Sequence, residues 1–262
     1  MGRILSYNNR VLIYGTKMIE GAITSAPAFD PSTISNLQIW VKADAGITLN
    51  SGNVSNWANQ SSSGSSYDFS QSTAASQPLY VSNGINGLPT LRFNGSTHTM
   101  YQSVSRGYTS GQLTFFVVMK IASTGILSVL GSQLFERDVN GDGALMYGLY
   151  GQNSGYALVG FDYSGEQIIV ANNLTIGQTY IMSNKNTNGP GSVFYRNGTS
   201  IGSVYGSDAH VFQNIGSTRF PSNTMSGFFN GDISEILIYN KALSTTEMNN
   251  VNSYLNIKYS VY

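Results

Sequence analysis

The clearest hydrophobic pattern in the chain lies between Phe228 and Leu255. Ile233, Ile236, Ile238 and Tyr239 form a β-branched and aromatic run that predicts a strand. Asn230-Gly231 just before it predicts a turn, because glycine frees the backbone. Ser244, followed three residues later by Glu247, is a capping box, so a helix is expected to begin there. Met248, Val251, Asn252 and Leu255 recur at helical spacing and give that helix one mostly apolar face. Upstream, Leu113–Met119 is a continuous apolar run of strand length, the pattern of a strand buried on both faces. Shorter runs at Leu37–Lys42, Ile126–Leu130, Gly143–Tyr150, Tyr156–Asp162, Gln167–Ala171, Thr179–Asn184, Ser192–Arg196 and Phe212–Ile215 are separated by Gly, Asn and Ser. Short strands with such punctuation predict an all-β, two-sheet antiparallel sandwich closed by one C-terminal helix. Ser32–Leu37 predicts a single helical turn, and Ser61–Ser66 a flexible loop.

The first thirty residues read as a separate segment. Arg3–Tyr7, Asn8-Asn9 and Arg10–Gly15 predict a small hairpin, and Lys17–Ile23 a third short strand. Ala26–Pro31 carries two prolines and reads as a linker. The expected organisation is therefore an N-terminal β segment over 1–30 and a sandwich over 31–262. A lone hairpin buries too little surface to stand by itself. Ile4, Leu5, Tyr7, Val11, Leu12 and Ile13 are accordingly expected to dock against another protein or sister copies.

Two stretches resemble a known family. Phe229–Glu247 follows the pattern F-x-G-x-I-x-E-x-x-I-Y-x-x-A-L-S leading into a short helix, which is similar to the closing segment of laminin-G-like, concanavalin A-like sandwich domains. Leu37–Ile47, Val54–Gln60, Gln77-Pro78, Asn86–Pro89 and Leu91–Ser96 resemble the opening of many such domains. Together they bracket residues 36–258. The resemblance implies a jelly-roll sandwich with Glu235 as a structural acidic residue. It does not specify an activity, because lectins, adhesins, glycan hydrolases and structural modules share the fold.

Composition narrows the possibilities. The 262 residues include 13 basic and 13 acidic side chains, a net charge of zero, and no cysteine. Disulfides and thiolate metal sites are excluded. No basic patch suggests nucleic acid, and no apolar run suggests membrane insertion. The N-terminal sequence lacks the apolar core of a secretory signal.

Asp138, Asn140 and Asp142 match the first half of a calcium loop, but the twelfth position is Leu149 where such a loop needs a bidentate Glu. A hairpin turn explains them better, with Ca²⁺ as a minor alternative and no other cofactor expected. Hydrolases on this fold set two carboxylates on alternate positions of one strand. Glu136 and Asp138 adjoin the turn, and Asp232 and Glu235, three apart, are expected on opposite faces of their strand. His98 and His210 stand alone. No enzymatic activity is expected. Tyr147, Tyr150, Tyr156 and Tyr163 cluster with Gln152, Asn153 and Asp162 in one hairpin region. Tyrosine faces and amide or carboxylate groups suit a sugar's C–H face and hydroxyl rim, although strand alternation turns about half of such residues inward.

These features favour a bacteriophage virion protein of the head or tail fibre or receptor-binding type. Such a protein would be assembled in the host cytoplasm, with its N-terminal segment docked on other virion proteins and its sandwich contacting a host-surface glycan. A homotrimer is expected. The alternatives are an exported bacterial carbohydrate-binding adhesin and a diverged glycan hydrolase.

Overall fold

The computed structural model describes the backbone of residues 4–7, 10–13, 29–102, 107–108, 112–122, 146–152, 155–162, 165–169, 174–187, 190–205, 210–211, 214–219, 225–226 and 228–262. Side chains are described at 29–102, 112–122, 174–187, 192–203, 214–217 and 228–262. The chain divides into two units, Met1–Asp30 and Pro31–Tyr262. In the first, β1 (Ile4–Tyr7) pairs antiparallel with β2 (Arg10–Ile13), with Ile4 opposite Ile13 and Leu5 opposite Leu12. The expected third strand at Lys17–Ile23 lies outside the described residues, as does Ile126–Leu130.

The second unit opens with a single 3₁₀ turn, Pro31–Thr33, and β3 (Leu37–Lys42). The helical turn expected over Ser32–Leu37 is thus shorter, and Asn36, at φ 67°, turns the chain into the strand. Next come β4 (Ile47–Asn50), β5 (Asn53–Trp57), β6 (Phe69–Ser70), β7 (Leu79–Ile85), β8 (Leu88–Asn94), β9 (Met100–Gln102), β10 (Gly107–Tyr108) and β11 (Gln112–Ile121). After these follow β12 (Met146–Gln152), β13 (Gly155–Asp162), β14 (Gly165–Ile169), β15 (Thr179–Thr187), β16 (Pro190–Arg196) and β17 (Thr199–Tyr205). The remainder are β18 (His210–Val211), β19 (Asn214–Ile215), β20 (Thr218–Arg219), β21 (Met225–Ser226), β22 (Asn230–Tyr239) and the helix α1 (Thr245–Tyr259).

Thirteen of these strands form one hydrogen-bonded path, β17-β16-β15-β11-β22-β8-β7-β5-β6-β9-β19, with β3 on β22 and β4 on β5. Every pairing is antiparallel. Residues from distant parts of this path share one core. Val54, Trp57, Phe69, Met100 and Ile215 cluster with Ile39, Val41, Phe115, Val117, Met119, Ile233, Ile236 and Ile238. The path therefore folds over on itself as a two-layer sandwich. The all-β sandwich expected from the sequence is the observed fold.

β22 is the centre of one layer. It pairs with β11 along its length, and on its other side with β8 through Asn230–Ile233 and with β3 through Glu235–Tyr239. Alternate residues face the core, while Phe116, Leu237 and Tyr239 lie on the opposite side, where α1 contributes buried Met248, Val251, Leu255 and Tyr259. Both faces of β11 are thus covered, which accounts for its apolar run, interrupted only by Thr114, whose hydroxyl donates to the Lys241 carbonyl at 2.9 Å and accepts from the Leu243 amide at 3.0 Å. The predicted capping box is formed. The Ser244 Oγ accepts from the Glu247 amide at 3.3 Å, and the Glu247 carboxylate accepts from the Ser244 amide at 2.8 Å.

Three expectations are corrected. Asn230-Gly231 is not a turn but the start of β22. Gly231 has φ 156°, and a Cβ there would meet the Lys120 carbonyl oxygen and the Phe229 ring, so glycine serves close packing. Ser61–Ser66 is hydrogen-bonded and not a free loop: the Ser61 hydroxyl donates to the Gln38 carbonyl at 2.7 Å and accepts from Asn59 at 2.8 Å. Asp232 and Glu235 lie on the same face. Val118 pairs with Glu235 and Met119 with Ile233, which leaves Ser234 as an extra bulged residue that resets the alternation. Ile233 and Ile236 consequently both face the core, and both carboxylates point away from it.

Candidate functional site

The site is built where the chain leaves β6. Gln71 is buried and organises the segment after it. Its Nε2 donates to the Thr99 carbonyl at 3.0 Å, its Oε1 accepts from the Thr73 amide at 2.9 Å, and its own carbonyl accepts from Gln77 Nε2 at 2.7 Å. A 3₁₀ turn, Ala74–Ser76, follows, and the Thr99 amide donates to the Ser76 carbonyl at 3.0 Å. From the other side, Asn94 Oδ1 accepts from the amides of Ser96, Thr97 and His98, holding the 94–99 loop. Thr97 Oγ1 reaches the Ala75 carbonyl at 3.4 Å. Residues 71–76 thus form a wall fixed by hydrogen bonds before any ligand arrives.

The floor comes from strand pairing. Ser70 lies opposite Tyr101 and Tyr101 opposite Asn214, across β6, β9 and β19. Phe69, Met100 and Ile215, their neighbours in sequence, face the core, so this row faces away from it. Ser70, Gln71, Ser72, Thr73, Ser76, Tyr101 and Gln102 line a cleft of about 470 Å³. Ser70, Ser72 and Thr73 are exposed and Tyr101 is half-buried. The Gln102 Nε2 donates to the Tyr67 carbonyl at 3.2 Å, and its Oε1 has no hydrogen-bond partner. The exposed hydroxyls and the phenol ring can engage an uncharged polyhydroxyl ligand, while the buried glutamines hold the wall in place. Among the described residues no carboxylate lines the cleft, so this lining supplies no acid–base pair for hydrolysis.

Among the described residues, a second polar cluster joins α1 to the sheet. Glu235 is fully buried and accepts from Trp40 Nε1 at 2.6 Å, Lys258 Nζ at 2.7 Å, Tyr259 Oη at 2.8 Å and Tyr254 Oη at 2.9 Å. Lys258 also meets Asp44 at 3.0 Å. Burial and the Glu235 charge hold the Tyr259 hydroxyl far above the usual phenol range, so it remains a donor. Asp232 is held by Arg92 in a two-pronged pair at 2.7 and 2.9 Å. Both carboxylates are saturated by internal partners. Their roles are structural, as the resemblance implied for Glu235.

Of the residues singled out in the sequence, Tyr147, Tyr150 and Gln152 fall on β12 and Tyr156 and Asp162 on β13 of the three-stranded sheet β12-β13-β14. Backbone pairing sets Tyr150 opposite Ala157 and Tyr156 opposite Gly151. Their side chains, and Asn153 and Tyr163 altogether, lie outside the described residues, as do Asp138, Asn140, Asp142 and the side chains of β1 and β2. Among the described residues no cluster of three metal-ligating side chains occurs, and no helix is long and apolar enough to cross a membrane. His98 Nδ1 faces the Arg92 carbonyl at 3.1 Å and therefore carries the proton, and burial lowers its pKa. The cleft residues were missed. Their only sequence signal is the polar run Ser70–Gln77, and Tyr101 joins it solely through cross-strand pairing.

No protein-family model and no curated protein sequence matches the chain. Solved structures do match. The chain is similar to domain 4 of AbnA, a GH43 extracellular arabinanase from Geobacillus stearothermophilus, in complex with arabinotriose. That match has a TM-score of 0.56 and 15% identity, and covers 83% of this chain and 98% of that one. The chain is also similar to the binding domain of Paraclostridial Mosquitocidal Protein 1, with a TM-score of 0.55, 16% identity and coverage of 84% and 53%. For the receptor-binding domain of botulinum neurotoxin type G the values are 0.50, 12%, 84% and 52%. The chain spans nearly all of the first and about half of the other two. At these identities the likeness concerns the fold, an antiparallel jelly-roll sandwich.

Proposed function

We propose that this chain is a carbohydrate-binding sandwich and not a hydrolase, with its ligand in the cleft between the 71–76 wall and the Ser70–Tyr101 floor. The observation that carries this reading is the lining itself: the exposed hydroxyls of Ser70, Ser72 and Thr73 and a half-buried tyrosine ring, on a wall held by the internal hydrogen bonds of Gln71 and Gln77. Preorganised polar groups bind without paying to order themselves. Structures of the same fold include two that are named for binding and one solved with arabinotriose, which makes arabinotriose a sensible first probe. A glycan array comparing the intact chain with Tyr101→Ala tests the reading. Selective binding that Tyr101→Ala abolishes is expected, and binding unchanged in that variant would refute the site.

The reading extends to context. The module is carried by a bacteriophage virion protein, a fibre or receptor-binding component, with the glycan on the host surface. The hairpin β1-β2, a two-stranded sheet with paired apolar positions Ile4/Ile13 and Leu5/Leu12, supports a docking or trimerising role for Met1–Asp30. A chain lacking residues 1–30 is expected to lose both its trimeric mass in light scattering and its incorporation into particles. Retention of both would refute this role.

A further inference from the structure

We infer that the chain carries its own cleavage point, the Asp30–Pro31 peptide bond, at which warm dilute acid detaches the sandwich as a complete unit from the segment before it. The inference does not rest on the carbohydrate reading.

Two observations coincide at this bond. The sequence contains a single Asp-Pro pair, and the boundary between the units Met1–Asp30 and Pro31–Tyr262 falls on it. Asp30 is exposed, so acid and water reach it. Its carboxyl oxygen can close a five-membered ring on its own backbone carbonyl carbon. The nitrogen of Pro31 belongs to a tertiary amide without an N–H, and it leaves readily once protonated. In the step, a C–O bond forms between the Asp30 carboxyl and the Asp30 carbonyl carbon, and the C–N bond to Pro31 breaks. The departing nitrogen takes up the proton that the carboxyl gives to the medium. Water then opens the cyclic anhydride and leaves Asp30 at the end of its fragment.

The fold on the far side of the cut loses none of its elements. All strands of the thirteen-strand path and α1 follow Pro31, and β1 and β2 pair with each other in a sheet of their own. Pro31 itself is buried and opens the 3₁₀ turn. Its carbonyl accepts from the Ile34 amide at 3.2 Å and from Tyr239 Oη at 3.1 Å. Both bonds use the oxygen and not the nitrogen, so scission leaves the new N-terminus pinned to β22. Whatever Met1–Asp30 is attached to, the cut parts it from the sandwich.

The test incubates the full chain in warm acid near the ordinary aspartate pKa of ~3.9. Mass spectrometry is expected to find 31–262 and 1–30 as the first products. Asp30→Ala, at an exposed position, removes the attacking oxygen and is expected to lose these products completely. After return to neutral pH, the cut protein is expected to melt at the same temperature as Asp30→Ala protein taken through the same acid. Earlier scission at another bond, or the same products from Asp30→Ala, would overturn the cleavage point. A lower Tm in the cut sample would overturn the release of a complete sandwich.

Discussion

Replacing Glu235 with Gln isolates the charge that ties α1 to the sheet. The side chain keeps its size and one acceptor oxygen. It loses its negative charge, and its new amide group faces the Lys258 ammonium and the tyrosine hydroxyls. Glu235 now accepts four bonds of 2.6–2.9 Å in full burial. Breaking a buried ion pair from one side costs about 3–5 kcal/mol. Lys258 retains Asp44 at 3.0 Å, and the tyrosine hydroxyls can rotate to accept, so the lower end applies, about 3 kcal/mol. For a domain of this size, 1 kcal/mol shifts Tm by about 2–4 °C, giving a fall of roughly 6–12 °C. Thermal unfolding followed by circular dichroism measures it. Urea titration should show a lower midpoint at unchanged slope. The double variant Glu235→Gln/Lys258→Met should lose less than the two singles summed, because the partners act on each other. A Tm within 2 °C of the parent, or strict additivity, would show that the cluster does not tie α1 to the sheet.

Two further outcomes follow from the geometry. Gly231→Ala should destabilise by about 1–3 kcal/mol in urea unfolding, since the added methyl meets the Lys120 carbonyl and the Phe229 ring, and a neutral effect would contradict the close packing assigned to that glycine. Burial raises the Glu247 pKa, but its bonds to Lys241 and Ser244 outweigh this and leave it lowered. Its contribution is then present above the unfolded carboxylate value and lost as pH falls through the folded one. Acid titration of Tm should show this loss, and Glu247→Gln should flatten it. An unchanged acid limb in that variant would remove the basis for the assignment.

Much of the fold was legible because local and tertiary signals agreed. Ser244 and Glu247 announce a helix start, and burial then uses the same Met248, Val251 and Leu255 face that periodicity marks. Leu113–Met119 announces a strand covered on both sides, and the sheet and α1 supply the covers. The parity of Asp232 and Glu235 was not legible. One bulged residue, Ser234, reverses it, and the bulge sits where the neighbour of β22 changes from β8 to β3. There Ser234 Oγ donates to the Pro89 carbonyl and its own carbonyl accepts from the Ala43 amide, bonds that no single-strand pattern encodes. The cleft was equally hidden. Serine, threonine and glutamine around Ala74-Ala75 read as loop, and nothing in residues 70–77 points to Tyr101 some thirty positions on.

The placement of β22 governs how the molecule can be made. The last strand of this unit in chain order is the middle plank of its layer, with β3 and β8 on one flank and β11 on the other. Until Tyr239 emerges, β11 has no partner on that flank, and the aliphatic and phenylalanine side chains of residues 113–119 have nowhere to go. Synthesis of this unit is thus a wait followed by a single closing event, with slow, non-local zippering as the cost. Chains cut short before that strand would present a sticky open ladder to one another, and cells making them should accumulate aggregates, not partly working protein.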